Sequence, residues 1–157
     1  MMAVKNTLIV TSVFMDGGKI PIEYTGHGKD ISPKLFLSEV SDKAKTLAVI
    51  MDDINHPIFK VYNHWTIWNL PVTQEIPEGI PHGEILSDFG GAVQGIGYGR
   101  HRYRGPKPPF GATHKYHYHV YALDRRLDLK PKSKKADLLR AMNGHILQHG
   151  CLTGAYK

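Results

Sequence analysis

The stretch at residues 102–124, RYRGPKPPFGATHKYHYHVYALD, constrains the fold more than any other, because it sets a stiff loop directly before a strand. Pro106, Pro108 and Pro109 lock φ and remove backbone donors, while Gly105 and Gly111 accept turn conformations, so helix is excluded across residues 105–111. From His114 the residues alternate. His114, Tyr116, Tyr118 and Val120 fall on one face and Lys115, His117, His119 and Tyr121 on the other, the period of an aromatic-rich strand. One face therefore enters a core with His114 at its loop end, where a histidine beside a loop that cannot easily collapse walls a preformed pocket.

Further strands are read around it. Residues 6–14, NTLIVTSVF, form a β-prone run that breaks at Met15-Asp16-Gly17-Gly18 before an edge at residues 20–22. Residues 24–33 read as loop and 34–40 as a short strand. TLAVIM at 46–51 is short and wholly apolar, as a strand buried on both faces should be. It runs into Asp52-Asp53-Ile54-Asn55-His56-Pro57, a cluster of polar groups at the end of a buried element that reads equally as a functional strand end or as acids solvating a turn. Residues 59–70 alternate with Tyr62, His64, Thr66 and Trp68 on one face and Asn63, Trp65, Ile67 and Asn69 on the other, which supplies a second strand-borne histidine.

Residues 71–83 and the glycine-dense 90–105 read as loop. Gly95-x-Gly97-x-Gly99 lacks the Lys-Ser/Thr end of a phosphate loop, so these glycines are expected to bring backbone close to a partner surface. A helix is predicted to start at Lys134 behind a Ser133 cap. It runs through Ala136, Leu138, Leu139, Met142, Ile146 and Leu147 to a stop at Gly150, with a bend or close contact at Asn143-Gly144 and a short final segment at 151–156. Six or more short strands and one amphipathic C-terminal helix make a mostly-β chain, with residues 1–157 read as a single domain.

Composition narrows the setting. The single cysteine, Cys151, cannot form an internal disulfide, and with no cysteine cluster a zinc site built on thiolates is excluded; a reducing, cytoplasmic location is expected. The apolar run near the N-terminus is too short for a membrane span or a signal-peptide core. A formal charge of +6 favours anionic partners of several kinds. The basic clusters at 100–107 and 130–135 are read as solvated loop charge, because no nucleic-acid motif accompanies them and Tyr98 and Tyr103 supply few stacking rings.

Asp53, His64 and His114 are the strand-end groups that carry chemistry. Taken singly, a strand histidine is more often a hydrogen-bonded structural group than a ligand, while two imidazoles and a carboxylate together also suit a two-histidine, one-carboxylate metal set in a hydrolase or oxygenase. Four blocks weigh on that choice: VIMDDINHP, NHWTIWNLP, YRGPKPPFGATHKYHYHVYALD and AMNGHILQHGCLTGAYK. In this order they resemble the phosphatidylethanolamine-binding protein family, which includes the Raf kinase inhibitor proteins, and the last block resembles its microbial branch.

The resemblance implies an antiparallel β-sandwich, a large sheet packed on a smaller one with helical cover. It also implies a small anion pocket lined by Asp53, His64 and His114, with Tyr116 on the pocket side and Pro109 at the rim. No catalytic residue, metal or cofactor is implied. The ligand expected is a phosphate, a phospholipid headgroup or a phosphorylated partner, and inhibition of kinases or serine proteases is a family activity. A cis bond before Pro57 is implied. So is a homodimer, for which Trp65, Trp68 and residues 90–105 offer flat surface. Membrane contact would be peripheral at most, and no specific nucleic acid is expected. The first block departs from the family's Asp-Pro-Asp-x-Pro: Ile54 replaces the first proline and Asn55 the second aspartate, which removes one negative charge near the pocket.

Overall fold

The protein is described here by a computed structural model covering residues 6–157. Among these residues the regular elements are β1 (Ile9–Thr11), β2 (Leu35–Ser38), β3 (Thr46–His56), β4 (Lys60–Leu70), β5 (Glu75–Ile76), β6 (Ile85–Leu86), β7 (Ala92–Gln94), β8 (His114–Leu123), α1 (Lys135–Met142) and β9 (Ile146–Tyr156). They form two antiparallel sheets, a small one in the order β1-β2-β5 and a large one in the order β6-β7-β4-β3-β8-β9. The sandwich read from the sequence is the architecture observed.

The apolar run of β3 is explained by what lies on each side of it. Leu47, Val49 and Met51 face Val10, Leu35 and Leu37 of the small sheet. Ala48 and Ile50 point the other way and pack with Trp68 beneath Leu138 and Met142 of α1. Each of the larger side chains taken wholly from water contributes about 1.5–3 kcal/mol, so β3 is the spine of both layers. No helix among the described residues is long and apolar enough to cross a membrane.

Several local expectations change. β3 does not turn at Asp52 but continues to His56. The helix ends at Met142 instead of running to Gly150, because Gly144 takes a left-handed φ of 82° and the chain re-enters the sheet as β9. Along β9 the buried positions are Gln148, Gly150, Leu152, Gly154 and Tyr156, a period of two. Two of them are glycine because a Cβ at 150 would meet the Leu8 carbonyl oxygen at 2.0 Å and one at 154 would meet Ile20 at 2.5 Å. The alternation is written in size, not hydropathy. Lys134, not Ser133, is the helix cap, and its backbone N–H donates to Asp137 Oδ2 at 2.8 Å.

The free edge of β9 is closed by the preceding chain, with Leu8 N–H donating to the His149 carbonyl and Ile20 N–H to that of Ala155. Trp65 and Trp68 are 1% and 0% exposed, so both are core and neither supplies the flat surface on which a dimer was expected. The glycine-rich segment does approach a surface, but it is the chain's own β4: a Cβ on Gly97 would sit 2.9 Å from the Trp65 nitrogen. Gln94 anchors this region, accepting from Trp65 Nε1 at 2.8 Å and donating to the carbonyls of Pro81 and Gly83.

Candidate functional site

The register of β3 against β8 pairs Asp53 with Tyr116 and Asp52 with His117. Because side chains alternate along both strands, Asp53 and Tyr116 share the inner face and Asp52 and His117 the outer one. His114, two residues before Tyr116, joins the inner set. Its Nδ1 lies 2.7 Å from Asp53 Oδ2, with the two residues 6% and 4% exposed. The other carboxylate oxygen of Asp53 accepts the Asn55 backbone N–H at 2.8 Å.

His64 reaches the same face by a bulge. Met51 pairs with Trp65 but Asp52 pairs with Asn63, so His64 is the extra residue of β4 at that point. Strict alternation put His64 with Thr66 and Trp68. Instead Trp65 and Ile67 join the core between the sheets while Trp68 lies on the opposite face, and His64 turns toward Asp53. Asn63 holds the bulge, its Nδ2 lying 3.1 Å from the Met51 carbonyl and 3.2 Å from that of Trp65.

The Gly/Pro loop supplies the third wall. His64 Nδ1 donates to the Arg104 carbonyl at 2.8 Å. That carbonyl is held by its neighbour: Gly105 N–H donates to Asp30 Oδ1 at 2.6 Å, and Gly26 N–H donates to the Pro106 carbonyl at 2.8 Å. Asp53, His64, Pro109, His114 and Tyr116 all line one cavity of about 180 Å³. His56, Tyr98, Arg104 and Lys107 line it too and were not anticipated. The two cations belong to the cluster read as solvated loop charge; their position inside a Gly/Pro-braced loop was the available signal. The Arg104 guanidinium lies 4.1 Å from the Tyr98 ring centroid, a cation–π contact.

Within the cavity the ring nitrogens are sorted. Each histidine commits Nδ1 to the protein, His114 to a carboxylate and His64 to a carbonyl, which leaves Nε2 of each ring to serve the cavity. Burial lowers the pKa of His64 below the ordinary imidazole value, opposed by its carbonyl partner and the Asp53 charge. Burial and the Asp53 charge raise the Tyr116 phenol, so it stays a neutral hydroxyl donor.

The departure at Asn55 has a structural use. Its Oδ1 accepts the Lys115 backbone N–H at 2.7 Å, tying the end of β3 to the start of β8. The bond before Pro57 is trans, not the cis bond that the resemblance implied. There the His56 ring accepts the N–H groups of Ile58 and Phe59 and closes the turn without it. Asp53, His64 and His114 do not form a tight metal set; among the described residues the group whose ligand atoms lie within 4.8 Å of one another is His117, His119 and Cys151. No sequence signal places Cys151 opposite His119, because Ile146 and Leu147 continue the helical spacing of α1 into the start of β9.

Comparison with known proteins agrees with this architecture. The family model described as phosphatidylethanolamine-binding protein matches residues 10–157. A UPF0098 protein of Pyrococcus horikoshii is 44% identical over 156 residues, covering 98% of this chain and 78% of the relative. The crystal structure of a phosphatidylethanolamine-binding protein homologue from Chlamydia trachomatis superposes with a TM-score of 0.85 at 35% identity, over 98% of this chain and 99% of that one. YbcL of E. coli, described as a member of the mammalian family, gives 0.82 at 26% identity, over 96% of this chain and 98% of its own.

Proposed function

This chain belongs to the phosphatidylethanolamine-binding protein family, and from that premise we propose that its cavity binds a small tetrahedral oxyanion of the phosphate class. The chemistry is the same whether the phosphate is free, on a lipid headgroup or on a phosphorylated partner. A binding or inhibitory module follows, not an enzyme. A kinase or serine protease is the partner class carried by the family resemblance, and such a partner would meet the rim around Pro109 and Lys107.

The observation that supports the reading is the commitment of both Nδ1 atoms. In the neutral rings Nε2 is a bare acceptor, which repels an oxyanion. Protonation converts each Nε2 into a charged donor, which binds one. Tyr116 adds a hydroxyl, and Arg104 and Lys107 add positive charge at the wall. Anion affinity therefore rises as pH falls and the cavity imidazoles take up a proton.

Calorimetric titration with sulfate tests this at about pH 5.5 and about pH 8 at constant ionic strength, a span in which sulfate itself does not titrate. His64→Ala and His114→Ala each remove one charged donor, worth about 1.5–3 kcal/mol, so at the lower pH affinity drops roughly tenfold or more. Phosphate, a phosphate monoester and a phosphoserine peptide titrated in parallel separate the sources. Equal sulfate affinity at both pH values, or variants that bind like the parent, would refute the proposal.

A further inference from the structure

On the outer face of the large sheet a second cluster has formed from residues the anion cavity does not use. His117 and His119 are two apart on β8, and the register sets Cys151 of β9 directly opposite His119. One ligand atom from each of the three lies within 4.8 Å of the others. A tetrahedral zinc with bonds of about 2.0–2.3 Å holds its ligand atoms roughly 3.3–3.8 Å apart, so about an ångström of side-chain rotation closes the set.

The supporting contacts are those of a metal site. His119 Nδ1 lies 2.9 Å from His149 Nε2, which leaves His119 Nε2 as the nitrogen free to ligate. A ligating imidazole oriented through its other ring nitrogen is the usual arrangement around a bound metal. His149 is itself held by Tyr121, with ring planes 11° apart and centroids at 4.6 Å. Asp52 pairs with His117 across the strands, and its carboxylate is engaged by Lys135 Nζ at 2.6 Å, which fixes the acid at the border of the cluster.

We propose that His117, His119 and Cys151 form a binding site for a thiophilic divalent transition metal of the zinc type, with His149 orienting His119 and a fourth position open to solvent. On binding, a metal–sulfur bond forms and the thiol proton leaves to water, with no change of oxidation state. The exclusion drawn from cysteine count covers all-thiolate zinc sites; a mixed set needs one sulfur, and the fold delivers it.

The test titrates chelator-treated full-chain protein with Co2+ as a spectroscopic stand-in for zinc. Binding saturates at one ion per chain, with thiolate-to-cobalt charge-transfer absorption in the near ultraviolet and tetrahedral d–d bands, and Zn2+ abolishes both. Cys151→Ser removes the charge-transfer band. His119→Ala weakens binding at least ~10-fold, whereas His145→Ala, at a histidine paired with Asp124, changes neither. Because Cys151 is the only cysteine, iodoacetamide labelling reports on it alone, and saturating Zn2+ slows that labelling in the unmutated protein. A cobalt spectrum without the charge-transfer band, labelling indifferent to Zn2+, or His119→Ala binding like the parent overturns the proposal.

Discussion

Gly105→Ala should be among the most damaging single-methyl changes in this protein, although the residue contributes no side chain to anything. An alanine Cβ there would lie 2.3 Å from the Tyr24 carbonyl oxygen, 2.8 Å from Asp30 Oδ1 and 2.8 Å from Thr25 Cα. Two of the three obstacles are backbone, so the loop must move instead of a flexible side chain. Overpacking of this kind costs about 1–3 kcal/mol. Moving the loop also stretches the 2.6 Å bond from Gly105 N–H to the Asp30 carboxylate, a charge-assisted contact worth about 1.5–3 kcal/mol. The sum is about 2.5–6 kcal/mol, a large part of the roughly 5–15 kcal/mol that holds a domain folded. Gly99→Ala is the control: φ is 72° but nothing lies within 4 Å, so the change meets only backbone strain of about 1–2 kcal/mol. Urea unfolding of both variants measures the difference, and sulfate titration of folded Gly105→Ala should show weakened binding, since the Arg104 carbonyl that orients His64 moves with the loop. If Gly105→Ala unfolds no more readily than Gly99→Ala, the packing argument for a rigid third wall is wrong.

Three further outcomes follow from contacts described above. Asn55→Ala removes the acceptor of the Lys115 N–H and should lose about 0.5–1.5 kcal/mol in urea unfolding, while Asn55→Asp keeps the acceptor and should recover most of it. Burial holds His64, His119 and His149 below the ordinary imidazole value of 6.5, so the unfolded chain takes up protons first as pH falls. In buffer free of phosphate and sulfate, thermal stability should therefore be steady above about pH 7 and decline toward pH 5, and a flat profile by calorimetry would contradict those burials. Gln94→Leu strands the Trp65 Nε1–H and the carbonyls of Pro81 and Gly83, and with a side chain 0% exposed it should cost more than about 2 kcal/mol by chemical denaturation.

How far these features could be read from the chain depends on whether each position announces its surroundings. β3 and β8 did so, because apolar and aromatic residues fill their inward positions and the period survives in the letters. β9 did not. Its inward Gly150 and Gly154 are chosen for lack of volume beneath Leu8 and Ile20, and hydropathy cannot register that. His64 was found through its neighbours but assigned the wrong companions, since a bulge inserts one residue without any mark beyond Asn63. Arg104 and Lys107 were visible as charge but not as cavity wall, because their placement depends on Asp30, far away in sequence. The same holds for Cys151, whose partners lie across a strand pairing that only the assembled sheet defines.

The two-sided character of β3 and β8 bears on how this protein can vary. Asp52 and Asp53 are adjacent in sequence yet belong to different sites, as do Tyr116 and His117. Point changes on one face should combine nearly additively with those on the other where no partner is shared, leaving each site free to drift alone. A one-residue insertion or deletion within β3 behaves oppositely, because it exchanges the faces of the residues beyond it and carries Asp53 out of reach of His114 while turning Asp52 inward. Lineages should accordingly gain and lose the two sites independently by substitution, with length changes confined to the hairpin at residues 57–59 and the loops beyond.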